Sequence, residues 1–134
     1  MRKLDNIWHL EENEDITYIF EQLIKREVLS LGLPEPEYHP ISSNIELERL
    51  IEQNTRPDLL ISSMSKSPIT RLQILQKVRN RYHAKILPII IFTGGLDSDF
   101  LEGARNLGNI YYLQKPADKT VLKRIIKEIC LSMD

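Results

Sequence analysis

The sequence predicts a doubly wound α/β fold: one five-stranded parallel sheet with five helices packed on its two faces. Two observations predict it. Apolar runs of strand length alternate five times with segments whose apolar residues recur every three or four positions. One of those runs, Ile89-Ile90-Ile91-Phe92-Thr93, is apolar and mostly β-branched, as burial on both faces of a parallel sheet requires. Alternation of this kind implies right-handed crossovers between neighbouring parallel strands.

The elements follow in order. Ile7–Leu10 is a short strand that stops at Glu11-Glu12-Asn13. From about Asp15, residues Ile16, Ile19, Phe20, Leu23, Ile24 and Val28 mark a helix, ended by Gly32 and followed by Pro34 and Pro36. Tyr38–Ser42 reads as a second strand, placed at an edge by Pro40. Ser43 and Glu46 have capping-box spacing ahead of a short helix through Leu47, Leu50 and Ile51. Leu59–Ser62 is the third strand and Ile69–Arg81 the third helix. Ile89–Thr93 is the fourth strand. Gly94-Gly95 turn the chain, and Asp97 or Ser98 caps a helix to about Asn106, stopped by Gly108. Ile110–Leu113 is the last strand. Asp118 caps a final helix whose stripe is Val121, Leu122, Ile125, Ile126, Ile129 and Cys130, with Lys119, Lys123, Arg124 and Lys127 opposite.

At 134 residues, 42% apolar and 28% charged, the chain is expected to form one globular domain over 1–134, with no further domain after the fifth helix. A net charge of −1 argues against nucleic acid or an anionic membrane as partner. A single cysteine excludes an internal disulfide and fits a reducing, cytoplasmic setting. The longest apolar stretch, Ile86–Phe92, is strand-sized and contains Pro88, and the first residues lack a signal-peptide core.

The strand ends carry the functional signal. They present Glu11-Glu12 after strand one, Ser63 after strand three, Thr93 at the end of strand four and Lys115-Pro116 after strand five. Over nearly its whole length, with the phrases RPDLLIS, LPIIIFTG and IYYLQKP, the chain resembles the receiver domain of bacterial two-component response regulators, the CheY-like family, which has a flavodoxin-like (βα)5 fold. The resemblance implies a stand-alone receiver in a phosphorelay, meeting a protein partner: a sensor histidine kinase, a phosphotransfer protein or another response regulator. In that family an aspartate at the position of Ser63 accepts the phosphoryl group. An acidic pair, here Glu11 and Glu12, holds Mg²⁺, and a Thr/Ser and a Lys, here Thr93 and Lys115, contact the phosphoryl oxygens. Tyr112 matches the aromatic position that reorients with the threonine.

Ser63 departs from the pattern. A serine is neither ionised at pH 7 nor a ready Mg²⁺ ligand, and it needs an adjacent base to act as a nucleophile. The longer Glu11 and Glu12 side chains, without a third carboxylate, imply a weak or lost Mg²⁺ site. The expectation is an atypical receiver that is not an enzyme and works through protein contact, without aspartyl phosphorylation. The alternatives are phosphoryl acceptance at Ser63 with Mg²⁺, or a small-molecule module on the same fold. An ion pair from Lys115 to the glutamates is a further expectation. Asp58 lies at the wrong end of strand three to substitute.

His9 falls between Trp8 and Leu10 on a face shared with Ile7, and is expected to be a neutral, hydrogen-bonded core residue. His9-x-Glu11 lacks the Pro-Cys-x-x-Cys partner of a zinc deaminase, and Thr93-Gly94-Gly95 lacks the continuation of a P-loop. Receiver domains often meet partners, or a second copy, through the fourth helix, fifth strand and fifth helix. The edge of the last helix's stripe is the corresponding candidate here.

Overall fold

The computed structural model describes residues 1–63, 68–94 and 98–132, with Pro68 and Ile69 as backbone. Ten elements alternate along the chain: β1 Asn6–Leu10, α1 Glu14–Ser30, β2 Glu37–Ile41, α2 Asn44–Glu52, β3 Leu59–Ser62, α3 Pro68–Arg81, β4 Ile89–Thr93, α4 Ser98–Arg105, β5 Ile110–Gln114 and α5 Lys119–Leu131. All strand pairs are parallel, in the order β2-β1-β3-β4-β5. The doubly wound, flavodoxin-like fold expected from the sequence is the fold observed.

The period-2 alternation of the strands divides the core into two layers. Ile7, Leu59, Ile61, Ile90 and Phe92 face α1 and α5, where Phe20, Ile24, Val28, Ile126 and Ile129 close over them. Trp8, Leu60, Ile89 and Ile91 face the other way, against Leu47, Leu75, Val78, Phe100 and Ala104. β3 and β4 are buried along their whole length, as central parallel strands must be.

Local chemistry sets the helix ends. Asn13, not singled out in the sequence, caps α1 by accepting from the backbone N–H of Asp15 at 2.9 Å and of Ile16 at 3.3 Å. Ser43 Oγ accepts from Glu46 N–H at 3.1 Å, but the returning Glu46 carboxylate takes the N–H of Ser42 at 3.3 Å, one residue earlier than a capping box would. Gly95 and Asp97 lie outside the described residues.

β2 is an edge strand, as Pro40 implied, and runs one residue earlier than Tyr38–Ser42. Glu37 donates to Asp5 O and Ile41 accepts from Glu11 N, so 37, 39 and 41 face β1. Residues 38 and 40 therefore turn their backbone groups outward, and Pro40 has no N–H to lose there.

Asp118 caps α5 by accepting from the N–H of Thr120 at 2.9 Å and of Val121 at 3.3 Å. Asp118→Ala should lower stability by about 1 kcal/mol, with the denaturant slope unchanged. Urea unfolding of the two chains measures it.

Candidate functional site

The end of β1 and the end of β3 are hydrogen-bonded neighbours, Leu10 pairing with Ser62. This register brings Ser63 against His9. The Ser63 backbone N–H donates to Leu10 O at 3.0 Å, and its hydroxyl donates to the same carbonyl at 3.1 Å. His9 Nε2 lies 3.1 Å from Ser63 Oγ, and His9 Nδ1 lies 2.6 Å from the Tyr38 hydroxyl. Because Ser63 spends its one proton on Leu10 O, its oxygen is the acceptor toward His9, which places the imidazole proton on Nε2. Nδ1 then accepts from Tyr38. The result is a one-way chain across three strands: Tyr38 to His9 to Ser63 to the Leu10 carbonyl.

The chain is dry. His9 is 0% and Ser63 1% exposed, and the Phe20 ring lies 5.1 Å from the imidazole. Burial, which penalises the imidazolium, lowers the His9 pKa to about 3. Burial and the nearby Glu21 carboxylate push the Tyr38 phenol well up, so it stays a donor. The expectation of a neutral, hydrogen-bonded His9 on the Ile7 face is met. Its bond to Ser63 was not foreseen, nor was Tyr38 as its partner.

The acidic pair behaves differently. Glu11 is 8% exposed and Glu12 is exposed. Glu11 Oε2 accepts from Asn13 N–H at 3.0 Å, and the buried Oε1 has no hydrogen-bond partner. Both glutamates line a cleft with Glu46, Ser42 and Pro40, on the β2 side of β1 and away from β4. Among the described residues, no three His, Cys, Asp or Glu side chains come together as a metal site.

Across the sheet, Thr93 ends β4 and is buried. Lys115 Nζ lies over the Phe92 ring, 5.2 Å from its centroid, rather than against Glu11, so the expected ion pair with that carboxylate is not formed. Tyr112 is half-exposed, and its hydroxyl donates to Leu101 O at 3.1 Å. Asp58 accepts from Asn6 N–H at the opposite sheet edge, as expected. Arg71 belongs to no motif and was not among the expected site residues. From α3 its guanidinium reaches the carbonyls of Ser62 at 3.5 Å and Phe92 at 3.4 Å and lies 4.9 Å from the Phe100 ring centroid. On α5 the stripe is largely used by the core: Leu122, Ile125, Ile126, Ile129 and Cys130 are buried, and Val121 is partly so.

No protein-family model matches the chain, and no curated protein matches it by sequence. Solved structures do. A CheY-like response regulator receiver domain protein from Methanospirillum hungatei is 20% identical, with a TM-score of 0.75 over 94% of this chain and 93% of that one. A response regulator receiver domain protein from Clostridium thermocellum is 23% identical, with a TM-score of 0.74 over 95% and 94%. A pilus assembly-related protein from Burkholderia pseudomallei is 15% identical, with a TM-score of 0.73 over 98% and 95%. The receiver fold is thereby established across the chain.

Two outcomes follow from the buried chain. Tyr38→Phe should cost about 1–3 kcal/mol, because it leaves His9 Nδ1 buried without a donor. Ser63→Ala should cost a similar amount, and the double variant less than the sum, which a double-mutant cycle reads directly. The second outcome concerns pH. The unfolded chain binds a proton on His9 below its usual pKa of 6.5, and the folded chain does not until about 3. The His9 contribution is therefore complete above pH 6.5 and falls as pH drops through the window down to about 3. Between pH 7 and 5, urea midpoints should decline more steeply for the native chain than for His9→Asn, and the His9 imidazole should stay neutral by NMR.

Proposed function

We propose that this chain is an atypical receiver-fold signalling module that works by protein–protein contact and does not accept a phosphoryl group at residue 63. The observation that carries the reading is the state of the Ser63 hydroxyl. It is buried, its proton is directed to Leu10 O, and its oxygen receives the His9 proton. A nucleophilic serine needs a neighbour that takes its proton. Here the adjacent imidazole offers an N–H instead, and a pKa near 3 makes it a poor base.

The metal chemistry is weakened in parallel. Phosphoryl transfer of this type rests on positioning and on a cation that neutralises developing charge. Glu11 sits toward β2, and the third carboxylate of the resembled site is a hydroxyl already committed elsewhere. On this reading Mg²⁺ is not a resident cofactor, the module has no catalysis of its own, and its partner is a protein of a two-component or phosphorelay pathway. The fold supports that role without selecting it, since proteins described as receivers and as pilus assembly-related share it.

The test is intact mass after incubation with Mg²⁺ and acetyl phosphate. The native chain should gain no phosphoryl mass. A hydroxylamine-resistant adduct that is lost in Ser63→Ala would overturn the reading and make Ser63 an acceptor.

A further inference from the structure

The helical layer made by α1 and α5 presents two outer faces of opposite charge. Both helices pack on the same side of the sheet and against each other. α1 carries four acidic and two basic side chains, whereas α5 carries one acidic and four basic. Much of that charge is not spent within the chain. Among the described residues, Glu14 and Asp15 on α1 and Lys119, Lys123, Arg124 and Lys127 on α5 are exposed and form no ion pair. The division runs through the whole sequence: residues 1–63 hold 13 acids and 6 bases, and residues 64–134 hold 6 and 12. The chain is strongly polarised although its net charge is only −1.

The same faces expose apolar side chains. Tyr18, Ile19 and Leu29 on α1 are 64%, 47% and 51% exposed, and Leu131 on α5 is 52% exposed. Helical spacing puts Asp15, Tyr18, Ile19 and Leu29 on one outer face, and Lys123, Arg124, Lys127 and Leu131 on the other. Apolar groups with a charged margin are the make-up of a protein contact surface. Placing α5 of one copy on α5 of another would set cations against cations. A two-fold axis parallel to the helices instead sets α1 of each copy over α5 of the other, a closed isologous contact. We propose that two copies of this chain associate in that way, the acidic face of α1 meeting the basic face of α5 twice. Both helices start at the carboxyl edge of a parallel sheet, so they run parallel with their amino ends level. Glu14 and Asp15 then face Lys119 and Lys123. Tyr18 and Ile19 meet the stems and charges of Lys123 and Arg124, and Arg26 and Leu29 reach Glu128 and Leu131.

Sedimentation equilibrium of the full chain tests this. A monomer–dimer equilibrium should appear and weaken at least about tenfold between about 0.05 M and about 0.5 M NaCl. Two charge-reversed chains should each associate at least about tenfold more weakly: Lys123→Glu with Lys127→Glu, and Glu14→Lys with Asp15→Lys. Mixed in equal amounts, they should form a heterodimer, because every contact is again between opposite charges. Restored association also shows that both variants are folded. The proposal is overturned by a native chain that stays monomeric at about 1 mM, by a dimer indifferent to both reversals, or by a mixture that does not recover. A dimer broken only by Tyr112→Glu would overturn it too, and would move the contact to the β5 side. The proposal goes beyond the reading of Ser63, which acetyl phosphate labelling tests separately, so failure of the dimer leaves that reading standing.

Discussion

An imidazole in the middle of a sheet, shielded from water by Phe20, can be kept only if both ring nitrogens are satisfied and neither is charged. The strand ends of this protein are organised around that condition. Tyr38 comes from β2, His9 from β1 and Ser63 from the end of β3, so one line of polar contacts joins three neighbouring strands. Each link fixes the next: the Leu10 carbonyl orients the serine hydroxyl, the hydroxyl sets the imidazole tautomer, and the tautomer requires a donor at Nδ1. In a low-dielectric interior such a line is strong when complete and costly when cut anywhere.

This arrangement explains why a serine can stand at a position where the resembled family has an acid. A carboxylate there would face the Leu10 carbonyl at close range and would draw a proton onto His9. A small hydroxyl fits both neighbours without charge. The same choice removes a negative group from the carboxyl edge of the sheet, and the two remaining acids stand on the β2 side of β1. Lys115 rests on an aromatic ring, and Arg71 spans the carbonyls of Ser62 in β3 and Phe92 in β4. Ser63 and Lys115, which the resemblance would assign to a phosphoryl site, are each engaged with other groups here.

Much of the fold was legible in the sequence because it rests on periodicity. The Ile89–Thr93 run announces a central strand, Gly32 and Gly108 end helices at positive φ, and Asp118 caps where expected. Ser43 caps α2 as its spacing implies, but the Glu46 carboxylate takes the N–H of Ser42 and not that of Ser43. The site was legible only as a set of strand ends. That His9 is buried could be argued from alternation, but its partners depend on register. The pairing of Ile7 with Tyr38 and Leu10 with Ser62 is a property of the assembled sheet. Nothing in the spacing of α3 distinguishes Arg71 from the other basic residues of that helix. The placement of Glu11 on the β2 side of β1 goes with its backbone bond to Ile41, which no motif encodes.

Pro40 has a consequence beyond strand placement. A sheet with open edges can recruit an extended segment from another molecule, and growth of that kind needs a row of outward N–H donors. β2 offers such a row at residues 38 and 40, and Pro40 removes one of those two donors while His39 and Glu37 spend theirs inward. The strand that anchors the buried tyrosine is thereby a poor template for a stray strand. The module can present side chains at this end of the sheet while resisting the strand-by-strand stacking that leads to fibres.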